Sequence, residues 1–356
     1  MSVFSNPEYD QHELLSFHAD KTSGLQAIIA VHSSKLGPGV GGCRMYPYAS
    51  EADAITDVLR LSRGMTYKSA LAGLPFGGGK SVIIGDPHSL KTPALMAEMG
   101  RFVNSLGGAY VAAEDSGTCV ADIQTMANHT DYVSGLTNNR YGGDPSPSTA
   151  LGVYLAIRTA AEHRLGVDSL HGLSVAIQGL GHVGYYLARH LKGEGAVVYG
   201  ADVNKSNLDR AVVELDVIPV AVEDVLTMEV DVLAPCAMGA VLDKKTIPLL
   251  RAGIVAGAAN NQLATVADGA NLEGRGILYC PDFLINAGGI IDVHHQRQGS
   301  SEAKTKEHIN NIAPTLAEVL QRADLSRGQT QLIAEELAQE YMAQASNTPM
   351  VLAQAS

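Results

Sequence analysis

The sequence predicts an α/β fold built as two domains with a cleft between them. At 356 residues the chain is long for one hydrophobic core. Its 37 glycines and 46% hydrophobic residues suit strands and helices joined by tight turns. Strand-like apolar runs alternate with helix-like apolar spacing in both halves, and residues 138–147, rich in Asn, Gly and Pro, form a predicted linker. A cleft between two such domains is a preferred place for a small-molecule site.

The first half of the chain alternates strand and helix signals. A helix is predicted over 50–64, because Ser50 is a typical N-cap residue, Asp53 completes a capping-box pattern, and the apolar side chains recur at helical spacing. In chain order, the predicted elements are a strand over 25–31, this helix, a strand over 81–84, a helix over 93–106 and a strand over 110–113. The last strand leads directly into Glu114 and Asp115.

A dinucleotide-binding signature opens the second half. A predicted strand over 174–178 runs into Gly179-Leu180-Gly181-His182-Val183-Gly184, and helical spacing follows over 185–191. This order of strand, Gly-x-Gly-x-x-Gly and helix is typical of a Rossmann-type domain. The first glycine makes the tight turn, the second admits the pyrophosphate, and the third lets the helix pack on the strand. The helix N-terminus offers free N–H groups to the phosphates.

A carboxylate downstream of this loop indicates which dinucleotide binds. A second strand over 197–201 ends at Asp202, 23 positions after Gly179. An acid at that place accepts a hydrogen bond from the ribose 2′-OH and repels a 2′-phosphate. The sequence therefore favours NAD over NADP, although the cation Lys205 lies nearby.

The remaining signals set the expected domain boundaries. A helix over 149–165 precedes the nucleotide-binding unit, strands over 230–234, 253–258 and 276–279 continue its sheet, and helical spacing returns over 304–345. We expect residues 1–135 to form a substrate and oligomerisation domain, completed by C-terminal helices of about residues 325–356 that run back to it. Residues 136–324 are expected to form the nucleotide-binding domain.

The richest chemical signal lies between Lys68 and Lys80. These lysines stand twelve residues apart, and Lys80 directly follows the triple glycine Gly77-Gly78-Gly79. Glycines allow positive φ and let backbone and ligand approach closely, so the lysine behind them is expected to point into the space they leave. Two ammonium groups facing one cleft depress each other's pKa, so one could act as a base while the other binds a carboxylate. The alternative is a glycine-rich turn followed by a solvated lysine.

Composition excludes several classes of function. The formal net charge of −12 argues against nucleic acid, which needs a basic face. No apolar run approaches the length of a membrane span, and the acidic N-terminus lacks the apolar region of a signal peptide. The four cysteines are widely spaced and form no Cys-x-x-Cys, so disulfides and metal sites are not expected. The expected location is the reducing cytoplasm.

Eight segments distributed over nearly the whole chain carry special backbone or chemically active side chains. They are residues 36–45, 68–80, 113–115, 145–150, 179–184, 234–237, 258–262 and 285–289. In these segments the chain resembles the amino acid dehydrogenase family of glutamate, leucine, valine and phenylalanine enzymes, and most closely its leucine-specific members. The family fold would be a substrate domain hinged to a Rossmann domain.

The resemblance implies a reaction and roles for the residues of the first domain. NAD⁺ would take a hydride from Cα of an L-amino acid, water would add to the iminium, and ammonia would leave to give the 2-oxo acid. Lys68 would bind the α-carboxylate with the backbone of Gly41-Gly42 and with Met65. Lys80 would be the base that activates water, and Asp115 would carry protons to and from the amine. Alternatively, Asp115 only caps the turn after its strand.

Roles on the cofactor side follow from the same resemblance. Asn260 would touch the nicotinamide ribose and the substrate, and Thr149 would hold the carboxamide, while Cys236 and Ala237 would pack beside the cofactor. Asn260 could instead be a turn residue, and Thr149 could cap the helix that it opens.

The expected side-chain pocket is apolar. Glutamate-specific members of the family place a lysine where this chain has Val40 and a serine where it has Val293, so a charged side chain would lose its partners. Val40, Ala113, Ile290 and Val293 would line the pocket. Phenylalanine-specific members tend to have glycine in place of Ala113, whereas leucine-specific members tend to have leucine in place of Val40. The adjacent His294 and His295 depart from the family pattern and are expected to be solvated.

The sequence-based prediction is an NAD-dependent enzyme acting on branched-chain L-amino acids and their 2-oxo acids. An aromatic amino acid dehydrogenase of the same family is the nearest alternative. A nucleotide-binding sensor without turnover belongs to another class, and the presence of Lys68, Lys80 and Asp115 together argues against it. The resemblance also implies a homo-oligomer, which is often an octamer among leucine-specific members.

Overall fold

Two β-sheets, each covered by helices, organise the chain. The computed structural model describes residues 3–136, 144–237 and 239–346. It divides into two units, Met1–Gly143 with Ala338–Ser356 and Asp144–Leu337. The predicted α/β fold is confirmed. Most of the predicted linker lies outside the described residues.

The first unit contains a five-stranded sheet with the strand order β1-β2-β4-β3-β5. Its strands are β1 (Leu14–Asp20), β2 (Leu25–Ser33), β3 (Gly39–Tyr46), β4 (Gly77–Ile84) and β5 (Tyr110–Glu114). Strands β1, β2 and β4 pair antiparallel, whereas β3 is parallel to both β4 and β5. Strands β1 and β3 were not predicted from the sequence. Three glycines interrupt the apolar alternation in β3, which weakens its strand signal.

Helices cover both faces of this sheet. They are α1 (Glu51–Leu71), α2 (Pro93–Ser105) and α3 (Val120–Ala127). Ala54 and Val58 of α1 pack on Ile28, Ala30 and Val82, while α2 and α3 cover the opposite face. The side chain of Ser50 caps α1 as predicted, by accepting a hydrogen bond from the backbone of Asp53. Helix α1 nevertheless continues seven residues past the predicted end, because its last two turns carry buried side chains that outweigh the helix-weakening Gly64.

The triple glycine lies inside β4 and none of its residues has positive φ, so the alternative of a glycine-rich turn is wrong. The reason for glycine is close approach from both sides of the sheet. A Cβ atom on Gly78 would collide with Thr66 of α1, and one on Gly79 would lie 2.6 Å from the ring of Tyr110. Only glycine lets the helix and the aromatic ring pack this closely on the strand that carries Lys80.

The second unit contains six parallel strands in the order β11-β10-β9-β6-β7-β8. They are β6 (Ser174–Gln178), β7 (Val197–Ala201), β8 (Ile218–Pro219), β9 (Val232–Pro235), β10 (Ile254–Val255) and β11 (Leu278–Tyr279). Counted from the first strand of the unit, this order is that of the dinucleotide-binding fold, with its switch point between β6 and β9. The predicted strands over 174–178 and 197–201 are confirmed residue for residue. The last three strands are shorter than predicted.

Further helices lie in the chain from residue 146 onward, and the last of them passes from the second unit into the first at Ala338. They are α4 (Ser146–Leu165), α5 (His182–Gly193), α6 (Lys205–Leu215), α7 (Ala267–Gly274), α8 (Asp282–Ile285), α9 (Gly288–Arg297), α10 (Glu302–Asn310), α11 (Ile312–Ser326) and α12 (Thr330–Ser346). Short 3₁₀ helices occupy Val3–Ser5, Val225–Thr227 and Ile247–Leu249. The helical region predicted over 304–345 is three helices, and the left-handed Arg327 ends α11. Within the described ranges, no helix is long and apolar enough to cross a membrane.

Candidate active site

Lys80 lies on the face of the first sheet that α1 covers. It pairs with Ala30 of the neighbouring strand β2, which packs against α1, and only 6% of the lysine is exposed. The alternative of a solvated lysine after a turn is therefore wrong. A lysine that is buried to this extent needs a charged or polar partner.

Asp115 supplies that partner. Its Oδ2 atom lies 2.5 Å from Nζ of Lys80 and 3.3 Å from Nε of Arg44. Burial raises the pKa of Asp115, but the Lys80 ammonium and the Arg44 guanidinium outweigh it and hold that pKa below its usual range. The carboxylate is thus an anion between two cations, so Asp115 does not only cap the turn after its strand.

The backbone of Gly41 and Gly42 lies beside this pair. A Cβ atom on Gly42 would be 2.6 Å from Cβ of Asp115, so only glycine leaves room for the carboxylate. The hydroxyl of Tyr110 is 2.7 Å from the carbonyl oxygen of Gly41 and 3.0 Å from Oγ of Ser81. Burial raises the pKa of Tyr110 well above its usual value, so the phenol stays neutral and can donate to the carbonyl. Sequence reasoning missed Tyr110, because its position in an apolar strand gives no functional signal.

Helix α1 brings two further predicted residues to the same backbone. Met65 and Lys68 are three residues apart and therefore share a helix face. The Cγ atom of Met65 is 3.5 Å from the place where a Cβ on Gly41 would be. Both side chains are half-buried.

Two residues of the expected substrate pocket lie on the same face of the sheet as Lys80. Ala113 of β5 pairs with Gly42, and Val40 lies two residues before Gly42 on the same strand, so all three share one side of the sheet. Val40 is 4% exposed and Ala113 is half-buried. The first unit thus collects Val40, Gly41, Gly42, Met65, Lys68, Lys80, Ala113 and Asp115 on β3, β4, β5 and α1.

In the second unit, the glycine loop has the geometry that phosphate binding requires. Gly179 has a φ of 94°, and a Cβ on it would be 2.7 Å from Cβ of Ala237. A Cβ on Gly181 would meet nothing within 4 Å, which leaves open space in front of the N-terminus of α5. A Cβ on Gly184 would collide with the carbonyl of Gly179, so glycine permits the close packing of helix on strand. Within the same loop, Leu180 is buried, Val183 is half-buried and His182 is exposed.

Asp202 follows β7 and contacts this loop. Its Oδ2 atom accepts a hydrogen bond of 2.7 Å from the backbone N–H of Leu180, and its Oδ1 atom accepts one from Asn204. Lys205 is exposed and pairs with Asp209 at 2.6 Å. The carboxylate therefore lies at the carboxyl end of the sheet next to the open loop, where a dinucleotide-binding fold holds the ribose and pyrophosphate of its ligand.

Cys236 follows β9 on the other side of the switch point. Its backbone N–H donates to the carbonyl of Gln178, the last residue of β6, at 2.7 Å. Burial raises the pKa of the Cys236 thiol to about 12, so this cysteine is not a nucleophile at neutral pH.

Asn260 and Thr149 lie elsewhere on the second unit. The Oδ1 atom of Asn260 accepts a hydrogen bond of 2.9 Å from Asn286, which also donates to the carbonyl of Ala258. Asn286 thus contacts the predicted site residue Asn260, although Asn286 itself was not predicted to be a site residue. The residue with left-handed backbone is the neighbouring Asn261, with a φ of 52°. Thr149 is inside α4 and donates to the carbonyl of Pro145 at 3.1 Å, so it does not open the helix.

Helix α9 carries the last predicted pocket residues. Ile290 and Val293 are three residues apart, share a helix face and are half-buried. The expectation that the adjacent histidines are solvated was wrong: His294 is 9% exposed, and Nε2 of His295 is 2.9 Å from Nδ1 of His308 on α10. Burial lowers the pKa of both His294 and His295. Among the described residues, no group of three or more His, Cys, Asp or Glu side chains is placed to hold a metal ion.

Comparisons with known proteins show the family that the chain matches. Residues 12–132 match the model of the Glu/Leu/Phe/Val dehydrogenase dimerisation domain, and residues 143–208 and 201–346 match that of the glutamate/leucine/phenylalanine/valine dehydrogenases. The leucine dehydrogenase of Thermoactinomyces intermedius is 45% identical over 96% of this chain and 93% of its own. The valine dehydrogenase of Streptomyces coelicolor is 44% identical over 95% and 94%.

A solved structure is also similar over nearly the whole length. The L-tryptophan dehydrogenase of Nostoc punctiforme has a TM-score of 0.81 and 39% identity, and the match covers 95% of this chain and 97% of that one. The family models together span both units described above. The chain therefore belongs to the Glu/Leu/Phe/Val family of amino acid dehydrogenases.

Proposed function

We propose that this protein catalyses the reversible NAD-dependent oxidative deamination of branched-chain L-amino acids to 2-oxo acids and ammonia. The observation that carries the proposal is the buried pair of Lys80 and Asp115 beside the Gly41-Gly42 backbone. Leucine and valine dehydrogenases with 42–45% identity over nearly the whole chain support the substrate class.

The cofactor would be held by the second unit. Gly179 to Gly184 would hold the pyrophosphate, Asp202 the ribose hydroxyls, and Thr149, Asn260, Cys236 and Ala237 the nicotinamide end. Bound NAD⁺ supplies the hydride acceptor. The pairing of Lys205 with Asp209 supports NAD in preference to NADP, because it leaves Asp202 as the dominant charge beside the loop.

Residues of the first unit would bind the amino acid and move its protons. Lys68 would bind the α-carboxylate, assisted by the N–H groups at Gly41-Gly42 and by Met65. Lys80 would remove a proton from the water that attacks Cα. Asp115, at 2.5 Å from Nζ of Lys80, would transfer protons between this lysine and the substrate nitrogen. Only 8% of the Lys80 side chain and 16% of the Asp115 side chain are exposed, and this limited contact with bulk water strengthens their interaction.

An apolar pocket would select the side chain of the substrate. Val40, Ala113, Ile290 and Val293 are the residues proposed to line it, and none of them offers a partner to a carboxylate. Aromatic amino acids are the second candidate, favoured by the likeness to the L-tryptophan dehydrogenase of Nostoc punctiforme. Ala113 favours aliphatic substrates, because its methyl group occupies space that a ring would need.

The proposal extends to assembly and location. A match to a dimerisation domain supports a homo-oligomer. The expected size is an octamer, and the expected location is the cytoplasm. Sedimentation of the purified protein would measure the size directly.

A panel of L-amino acids assayed at the NADH absorbance band with NAD⁺ and with NADP⁺ tests the proposal. We expect leucine, valine and isoleucine with NAD⁺ to be turned over far faster than glutamate or phenylalanine. Preference for an aromatic substrate would transfer the assignment to the second candidate, and a lack of turnover with every amino acid would refute it.

A further inference from the structure

Four charged side chains of the first unit alternate in sign. Lys80 of β4 contacts Asp115 after β5, and Asp115 contacts Arg44 of β3 at 3.3 Å. Arg44 in turn contacts Asp57 of α1, with Nη1 3.0 Å from Oδ2. The hydroxyl of Tyr48 donates to the same oxygen of Asp57 at 2.5 Å. We call these five residues the charge chain.

The charge chain is shielded from water along its length. Exposed fractions of the side chains are 8% for Lys80, 16% for Asp115, 20% for Arg44 and 24% for Asp57. Charges at such places cost free energy unless each has a partner, and removal of one partner leaves the next charge uncompensated. The arrangement therefore fixes each side chain through its neighbour.

Arg44 occupies the middle of the charge chain and uses two edges of its guanidinium. Nε faces Asp115 and Nη1 faces Asp57, so the planar group has a defined orientation between them. A lysine at this position would keep the charge but could not span both carboxylates in the same way.

We propose that Arg44 is a positioning residue that holds the Asp115 carboxylate against Lys80, with Asp57 and Tyr48 holding Arg44 in place. This inference rests on the proposed function, because it assigns a task to Asp115 and Lys80. Arg44 itself is not required to touch the substrate. Its fixed positive charge disfavours the protonated state of the Lys80–Asp115 pair and so favours loss of a proton from that pair.

Other groups near the pair contribute little net charge. Burial raises the pKa of the Cys43 thiol to about 12, so Cys43 is neutral. Asp122 of α3 is paired with Lys91 at 2.9 Å. Lys68 of α1 is a further cation of the first unit, and the substrate carboxylate would neutralise it.

The pH dependence of kcat/KM for L-leucine oxidation tests the inference in Arg44→Met and Arg44→Lys. Arg44→Met should lower kcat at least tenfold and move the ascending limb of the profile upward by about one pH unit, since an adjacent charge shifts such groups by about 1–3 units. Arg44→Lys should restore the position of the limb while recovering only part of kcat. The dissociation constant of NADH should stay unchanged in both. Arg101→Met, which removes a half-exposed arginine paired with Glu98 in the same unit, is the matched control.

A profile of Arg44→Met that superimposes on the wild type would overturn the inference. If Arg44→Met fails to fold, Asp57→Asn is the second variant. It keeps every side chain that contacts Asp115 and removes the negative charge that pairs with Arg44. We expect a lower kcat with an unchanged KM for L-leucine in this variant, and an unchanged kcat would equally overturn the inference.

A double-mutant comparison separates this inference from the proposed function. The shift of the urea midpoint caused by Asp115→Asn should be smaller in the Arg44→Met background than in the wild type, because one of the two cations that lose their partner is then absent. Equal shifts would overturn the inference whatever the activity. A wild type that oxidises no amino acid would refute the proposed function and would leave this comparison intact.

Discussion

Nζ of Lys80 lies 2.5 Å from Oδ2 of Asp115, and both residues belong to the unit that does not contain the glycine loop. The candidate proton-transfer pair and the candidate cofactor loop thus belong to separate folding cores. Substitutions at the proton-transfer pair should affect the chemical step without affecting cofactor binding. Substitutions at the cofactor loop should affect cofactor binding without affecting the proton-transfer pair.

Lys80→Ala should abolish most turnover while NADH still binds. Loss of a general base lowers the rate by roughly 10²–10⁴, and Asp115 keeps Arg44 as a partner, so the fold is expected to survive. Steady-state kinetics with L-leucine and NADH fluorescence titration measure the two effects. Lys306→Ala, at an exposed lysine of α10, is the control. Retention of half the activity at neutral pH would show that Lys80 is not the base.

Asp202→Ser should weaken NAD⁺ binding and relax the discrimination against NADP⁺. A hydrogen bond to a charged group contributes about 1.5–3 kcal/mol, and the substitution also removes the repulsion of a 2′-phosphate. Serine can still accept a hydrogen bond from the loop, where Asp202 now binds the N–H of Leu180. The ratio of kcat/KM for the two cofactors is the measurement, with the exposed Asp324→Ser as control. An unchanged ratio would place Asp202 away from the ribose.

Ala113→Gly should raise activity on L-phenylalanine relative to L-leucine. The substitution removes a methyl group from the face of the sheet that carries Gly42, and discrimination by about one methylene is worth roughly 1–3 kcal/mol. Ala112→Gly removes the same group from the opposite face of β5 and controls for the weakening of the strand by glycine. If the two substitutions alter the substrate ratio equally, Ala113 does not line the pocket.

Acid should destabilise the first unit through His32. Burial and the neighbouring His12 lower the pKa of His32 from 6.5 to about 4, against the opposing effect of Asp10. The unfolded chain therefore binds a proton at higher pH than the folded one, so this contribution is full above pH 6.5 and is lost as the pH falls toward 4. The shift corresponds to roughly 3 kcal/mol.

The melting temperature as a function of pH measures this effect. His32→Gln should flatten the decline between pH 6.5 and 4, although it removes the 2.8 Å hydrogen bond to Thr66 and lowers the melting temperature at pH 7. The exposed His88→Gln should leave the decline unchanged. A decline of the same steepness in His32→Gln and in the wild type would assign the acid sensitivity to other groups.

Local signals were sufficient wherever the chain determines its own conformation. The strands β6 and β7 and the loop from Gly179 to Gly184 follow from apolar runs, glycine spacing and the acid at Asp202, all within 30 residues. Ser50 likewise marks the start of α1, because capping involves only neighbouring residues. Short-range geometry of this kind is encoded in short-range sequence.

Contacts between distant segments decided the rest. The triple glycine is in a strand because α1 and Tyr110 pack on its two faces, which no local pattern of the sequence reveals. His294 and His295 are covered because α10 packs on α9. The charge chain includes residues 44, 57 and 80 from three different elements and Asp115 directly after a fourth. The sequence by itself determined the chemical groups and the nucleotide-binding unit, whereas only tertiary packing determined which charges are buried together, since burial and pairing depend on neighbours far away in the chain.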